Sequence, residues 1–211
     1  MALGVVGIVF VILGFVGPWW TINTQTSAVG QTITGVAEFR LFGGTATVQG
    51  PGFSQTNTTD YSDSPNTRGV FLTAAALSGS AIVMGALMAV ANVMPMGASG
   101  KRRLGLALGI LAFLLALAAP LYAMAQLPVA VNADSQGGPG STDLSGFWGT
   151  KSVSVFGVTI AFAWGAAWAW YVVLVAAILF LVGGILSSGA RVPFPTPPVP
   201  PPLGPPETPG P

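Results

Sequence analysis

Two apolar runs, residues 70–94 and 104–125, carry no charged residue and stand either side of Lys101, Arg102 and Arg103. At about 1.5 Å of rise per residue, each is long enough as a helix to cross a hydrocarbon core of about 30 Å. The pair predicts a helical hairpin in a membrane. Three of the seven basic residues lie in its tight connection. Short loops rich in Lys and Arg stay on the cytoplasmic side, so Lys101, Arg102 and Arg103 set the predicted orientation of the whole chain.

Composition agrees with a polytopic membrane protein. Charged residues make up 6% of the 211, against about 25% in a soluble domain. Cysteine and histidine are both absent, which removes disulfides, thiol nucleophiles, imidazole bases and the usual zinc or haem ligands. No basic run exists beyond the tripeptide, so nucleic acid has no electrostatic footprint here. The sequence calls for no metal and no cofactor.

Four spans are predicted, at about 2–20, 70–94, 104–125 and 160–186, with outer loops at 21–69 and 126–159. The first run lacks the basic start of a cleavable signal and reads as a retained span. Small residues mark faces for close helix contact: Gly7 and Gly14 in span one, Ala81, Gly85 and Ala89 in span two, Gly105 and Gly109 in span three. Pro120 predicts a kink. Trp19 and Trp20 at the end of span one, and Trp164, Trp168, Trp170 and Tyr171 at the start of span four, read as an interfacial aromatic belt.

The first outer loop is too long for a plain connector and is expected to carry strands. Residues 36–42 alternate, with Glu38 and Arg40 toward water and Phe39 and Leu41 toward the bundle top or the membrane surface. Gly43 and Gly44 read as a turn, 45–49 as a return strand, and 54–66 as an exposed loop. Residues 151–155 alternate as well and are expected to join the same small antiparallel sheet. The rim of Glu38, Phe39, Arg40, Leu41 and Phe42, with Trp148, is the candidate partner surface. Asn57, in Asn-Thr-Thr, matches the N-glycosylation acceptor pattern. Asp60 and Asp63 read as solvated loop carboxylates. Gly137 to Gly140 form a predicted turn, and 191–211, mostly proline, a disordered cytoplasmic tail with polyproline II character.

Charge supports this arrangement. Lys101, Arg102, Arg103 and Arg191 fall inside with Glu207. Arg40, Arg68 and Lys151 fall outside with Glu38, Asp60, Asp63, Asp134 and Asp143. Both termini are then cytoplasmic, in a plasma-membrane protein.

Several residues carry a family likeness. A Trp (Trp19 or Trp20) follows span one, Leu41-Phe42 lies in the first outer loop, and Arg68 precedes span two. Trp164-Gly-Ala-Ala-Trp168 and Leu181-Val-Gly-Gly-Ile-Leu186 mark span four. In these features and in its order of spans and loops, the chain resembles the claudin and peripheral-myelin-protein group of tetraspan proteins. That group carries two first-loop cysteines, absent here, and a Trp where this chain has Phe42. The resemblance implies an all-α transmembrane four-helix bundle with a small extracellular antiparallel sheet.

The expected function is non-catalytic: adhesion, membrane organisation, or service as an accessory subunit through the outer loops and small-residue helix faces. The expected partners are the lipid bilayer and either further copies of the chain or another membrane protein; no small-molecule substrate is identifiable. The alternative is a channel or transporter component with its pathway between protomers. The predicted spans contain no Asp, Glu, Lys or Arg, the groups that transporters place inside the membrane. No nucleophile-elbow, Walker or zincin pattern points to an enzyme.

Overall fold

The computed structural model describes residues 2–28, 30–94, 97–135 and 143–188. Four helices and six strands alternate along the chain: α1 (Ala2–Val16), β1 (Trp20–Ala28), β2 (Gln31–Arg40), β3 (Gly43–Gly50), β4 (Phe53–Thr59), α2 (Pro65–Val93), α3 (Ala98–Asp134), β5 (Gly149–Val155), β6 (Val158–Ala166) and α4 (Trp168–Ser188). Three of the helices are long and apolar enough to cross a membrane; α1, with 15 residues, is shorter.

Each helix packs on two neighbours, in the cyclic order α1, α2, α3, α4. Glycine permits the closest approaches. Gly109 of α3 lies against Gly184 of α4, where an added Cβ would stand 2.6 Å from the Gly184 Cα. Gly7 and Gly85 both face the Phe180 ring, Gly14 faces Val173, and Gly105 faces Ser187. Ala81 is fully buried, whereas Ala89 is half-buried and Met88 takes the inward position.

All six strands form one antiparallel sheet in the order β4-β3-β2-β1-β6-β5. Helix α1 runs into β1, β4 leads to α2, α3 leads to β5, and β6 runs into α4. The sheet therefore sits at one end of the bundle, and the α2–α3 connection at the other.

Several expected boundaries move. Span one stops at Val16, because Gly17 and Pro18 end the helix and Trp20 opens β1. Span two begins at Pro65, with proline in the first turn, where its missing N–H costs nothing. The basic tripeptide is not in a loop: Lys101, Arg102 and Arg103 belong to the first turns of α3. That helix accommodates both Pro120 and Pro128 and continues to Asp134, so the first nine residues of the expected second loop are helical. Residues 54–59, expected as loop, belong to the edge strand β4 (Phe53–Thr59); exposed on both faces, it shows no alternation to read. The largest correction concerns span four. Residues 160–166 belong to strand β6, paired on both sides, and the helix starts at Trp168. A short apolar run fits a buried strand as well as a helix. The expected 137–140 turn, Arg191, Glu207 and the proline-rich tail lie outside the described residues.

Candidate functional site

The sheet has two unlike faces. Directly opposed residues of an antiparallel sheet share a face, so the register defines rows across it. Ala166, Trp20, Phe39 and Gly44 form one row, and Trp164, Ile22, Ala37 and Ala46 the next on the same side. In these rows, next to the bundle, that face is apolar; Thr24, Thr26 and Lys151 lie on it farther out. Near the bundle it closes over the helix ends: Trp20 and Trp164 are buried, and Phe39 packs against the same cluster. The opposite face carries Thr21, Asn23, Gln25 and Ser27 from β1 and Thr32, Thr34 and Glu38 from β2. It is polar and faces water.

Four indole N–H groups find backbone acceptors, two within the helical part and two between the sheet and the loop before β5. Trp19 donates to the Gly14 carbonyl at 2.7 Å, Trp20 to Phe147 O at 2.8 Å, and Trp170 to Pro120 O at 2.9 Å. Trp164 donates to Gly146 O at 2.8 Å. A buried indole satisfied in this way adds a large apolar contact without an orphaned donor. Trp19, Trp20, Trp164 and Trp170 are therefore core residues and not lipid-facing belt residues. Trp168 and Tyr171, each 49% exposed, do stand outward, together with Trp148 and Phe42.

Two further clamps act at this end of the bundle, one binding the second loop to α3 and one joining α3 to α2. The Asn132 side chain pairs with the backbone of Leu144, accepting its N–H at 2.9 Å and donating to its carbonyl at 3.0 Å. Asp134, at the end of α3, caps the start of α2. Its Oδ1 accepts the Asn66 N–H at 3.1 Å and the Asn66 side-chain amide at 2.7 Å, and its Oδ2 accepts the Thr67 N–H at 2.7 Å. Ser64, at the N-cap itself, contributes no side-chain bond. The first N–H groups of a helix lack intrahelical partners, and here a carboxylate 67 positions away supplies them. Partial burial opposes ionisation of Asp134, but the Thr67 and Asn66 donors outweigh it and hold the carboxyl below its usual value.

Tyr61 fixes the β2–β3 turn. Its hydroxyl accepts the Arg40 N–H at 3.0 Å and faces the carbonyls of Gly43 at 2.7 Å and Arg40 at 2.9 Å. Its ring stacks on Phe71 and Phe39, with centroids 5.5 and 6.3 Å apart. Burial pushes the phenol well above its ordinary pKa, against the lowering effect of Arg40. The residue keeps this place in a left-handed backbone conformation, φ 64°.

The expected partner surface divides. Glu38 and Arg40 form an exposed ion pair at 3.0 Å, and Phe42 and Trp148 are exposed. Leu41 is buried and Phe39 lies in the aromatic cluster, so neither forms part of an exposed rim. Asn57 stands exposed in β4. Asp60 turns to the Ser62 N–H at 3.0 Å, a bond that lowers its pKa. Among the described residues no three His, Cys, Asp or Glu side chains gather as a metal site.

A groove of about 570 Å³ crosses β2, β1, β6 and β5. Its lining includes two rows, Thr150–Ala163–Asn23–Val36 and Ser152–Ala161–Gln25–Thr34, which project to the polar face. Sequence alone gave no sign of it, because its residues come from four strands whose register had to be known. Tyr61, Asn132 and Asp134 were missed as well. A single tyrosine amid Asp and Ser residues, followed by Ser64-Pro65, was the available signal for the first. The partners of the other two are remote in sequence.

These features define a class: a four-helix bundle, three of its helices long and apolar enough to cross a membrane, with an antiparallel sheet packed on one end. Comparison of the chain with protein-family models and with curated proteins gives no match.

Proposed function

We propose that this protein is a non-catalytic integral membrane protein, claudin-like in layout, that holds its sheet at the outer membrane surface as a platform for protein contact. Adhesion, membrane organisation and service as an accessory subunit are the roles such a platform serves. The carrying observation is the rigid union of sheet and bundle. The apolar face of the sheet packs into the helix cluster through Trp20, Phe39 and Trp164, the loop before β5 is bonded both to Trp20 of β1 and to Asn132 of α3, and a surface held in one orientation binds without losing loop entropy. The basic residues of early α3 lie at the opposite end from the sheet, which supports a cytoplasmic α2–α3 connection and an external sheet. With four crossings both termini are then cytoplasmic, and the plasma membrane is the fitting location.

Native mass spectrometry after gentle extraction from the source cells tests the proposal. A stoichiometric membrane-protein partner or a homo-oligomer is expected. A bare monomer whose reconstituted vesicles neither cluster nor recruit protein would overturn it.

A further inference from the structure

Strands β4 and β5 are the two edges of the sheet. Exposed edges offer unpaired N–H and C=O groups, and proteins ordinarily blunt them with Lys, Pro or a bulge. Edge β5 carries Lys151 next to its centre. Edge β4, Phe-Ser-Gln-Thr-Asn-Thr-Thr, carries no charge and no proline, and all seven residues are exposed. It pairs residue for residue with β3 from Gly44–Thr59 to Gly50–Phe53, without a bulge. It is an open template for another strand.

Its sequence is complementary to itself. In an antiparallel pair centred on Thr56, Ser54 meets Thr58 and Thr56 meets its own copy on the polar face. On the other face Gln55 meets Asn57, and Phe53 meets Thr59. Hydroxyls oppose hydroxyls and amides oppose amides, pairings that hydrogen-bond across strands. Within the chain, Thr47 and Thr56 already pair this way, with their oxygens 3.0 Å apart. A place for Phe53 exists too. Ala37, Phe39, Gly44, Ala46, Asn57 and Thr59 lie on its face of the sheet and border a hollow of about 180 Å³ beside Thr59. Phe53 itself is 49% exposed.

We infer that two copies of this chain join along β4, with Thr56 on the two-fold axis and Phe53 of each seated over the hollow of the other. The inference rests on the display role proposed above and names its partner. Its symmetry has a consequence. The two-fold axis of an antiparallel pair stands perpendicular to the sheet and reverses every direction within it. β4 runs from Phe53 at the distal end toward Thr59 beside the bundle, so the two bundles point in opposite directions and enter apposed membranes. A glycan on Asn57 would stand beside Gln55 of the second copy and block the contact.

The test is clustering of vesicles carrying the full-length protein, followed by light scattering. Thr56→Lys and Thr56→Glu each place like charges on the axis, and each alone is expected to reduce clustering roughly tenfold or more. Mixing Thr56→Lys vesicles with Thr56→Glu vesicles is expected to restore it, which also shows that both variants fold. Thr56→Cys gives a second readout. The chain has no other cysteine, and directly opposed antiparallel residues have Cα atoms about 4.5–5.5 Å apart, within disulfide reach. Oxidation should yield a covalent dimer between vesicles. Clustering that is equal in parent and both charge variants, or no restoration on mixing with no 56–56 disulfide, would overturn the β4 contact and leave the display role standing. Parent vesicles that never cluster, with no partner in native mass spectra, would remove both.

Discussion

Replacing Asp134 by Ala removes a cap that joins the end of α3 to the start of α2, 67 positions earlier in the chain. The carboxylate accepts three hydrogen bonds, at 2.7, 2.7 and 3.1 Å, two of them from backbone N–H groups in the first turn of α2. Loss of a capping side chain costs about 0.5–2 kcal/mol. Water reaches Asn66 and replaces part of what is lost there, but Thr67 is only 2% exposed and its N–H gains little. We expect about 1–2 kcal/mol for Asp134→Ala, the upper part of the capping range. Asp134→Asn should recover little, since its amide nitrogen turns a donor toward either the Thr67 or the Asn66 N–H. The pH dependence follows from the depressed carboxyl. Its contribution is fully present above the unfolded carboxylate pKa of about 4 and is lost as pH falls through the lower folded value. Stability between pH 7 and 5 should not change through this group. Hydrogen exchange of the protein in detergent, read by mass spectrometry, locates the effect: faster exchange at the start of α2, with the core of α4 unchanged. Unaltered exchange over residues 65–70 in Asp134→Ala would refute the capping role.

Gly109→Ala places a Cβ 2.6 Å from backbone of α4 and should cost about 1–3 kcal/mol, whereas Gly105→Ala meets only the Ser187 side chain, at 3.1 Å, and should cost less; thermal unfolding in detergent gives the order. Tyr61→Phe leaves the Arg40 N–H without its side-chain acceptor and should cost about 1–3 kcal/mol. In the parent, ultraviolet titration should find the Tyr61 phenol protonated above pH about 10, where a free tyrosine ionises, and its stabilising effect should fade as pH rises from there toward the folded value. Trp170→Phe keeps much of the apolar contact but loses the donor to Pro120 O, a loss of about 1 kcal/mol measurable by chemical unfolding.

Sequence alone determined what composition and long-range polarity control. Uncharged runs around residues 70–94 and 104–125 are long and apolar enough for helices that cross a membrane, and in lipid every backbone group needs an internal partner. The basic tripeptide marked the end of the bundle away from the sheet, and the alternation at 36–42 and 151–155 marked two strands, although β2 ends at Arg40 and the turn falls on Leu41 and Phe42, with Gly43 and Gly44 already paired in β3. Tertiary structure decided the rest. Residues 160–166 are strand only because β1 and β5 lie on either side to pair with them; locally the same apolar run suits a helix. Trp19, Trp20, Trp164 and Trp170 looked like lipid anchors until acceptors on Gly14, Phe147, Gly146 and Pro120 were in place. β4 has no hydrophobic period because it has no buried face, and the Asp134 cap requires α3 to end beside the start of α2. Helices in lipid satisfy their own backbone, so sequence specifies them locally; strands, caps and buried indoles are satisfied by partners that only the folded chain brings near.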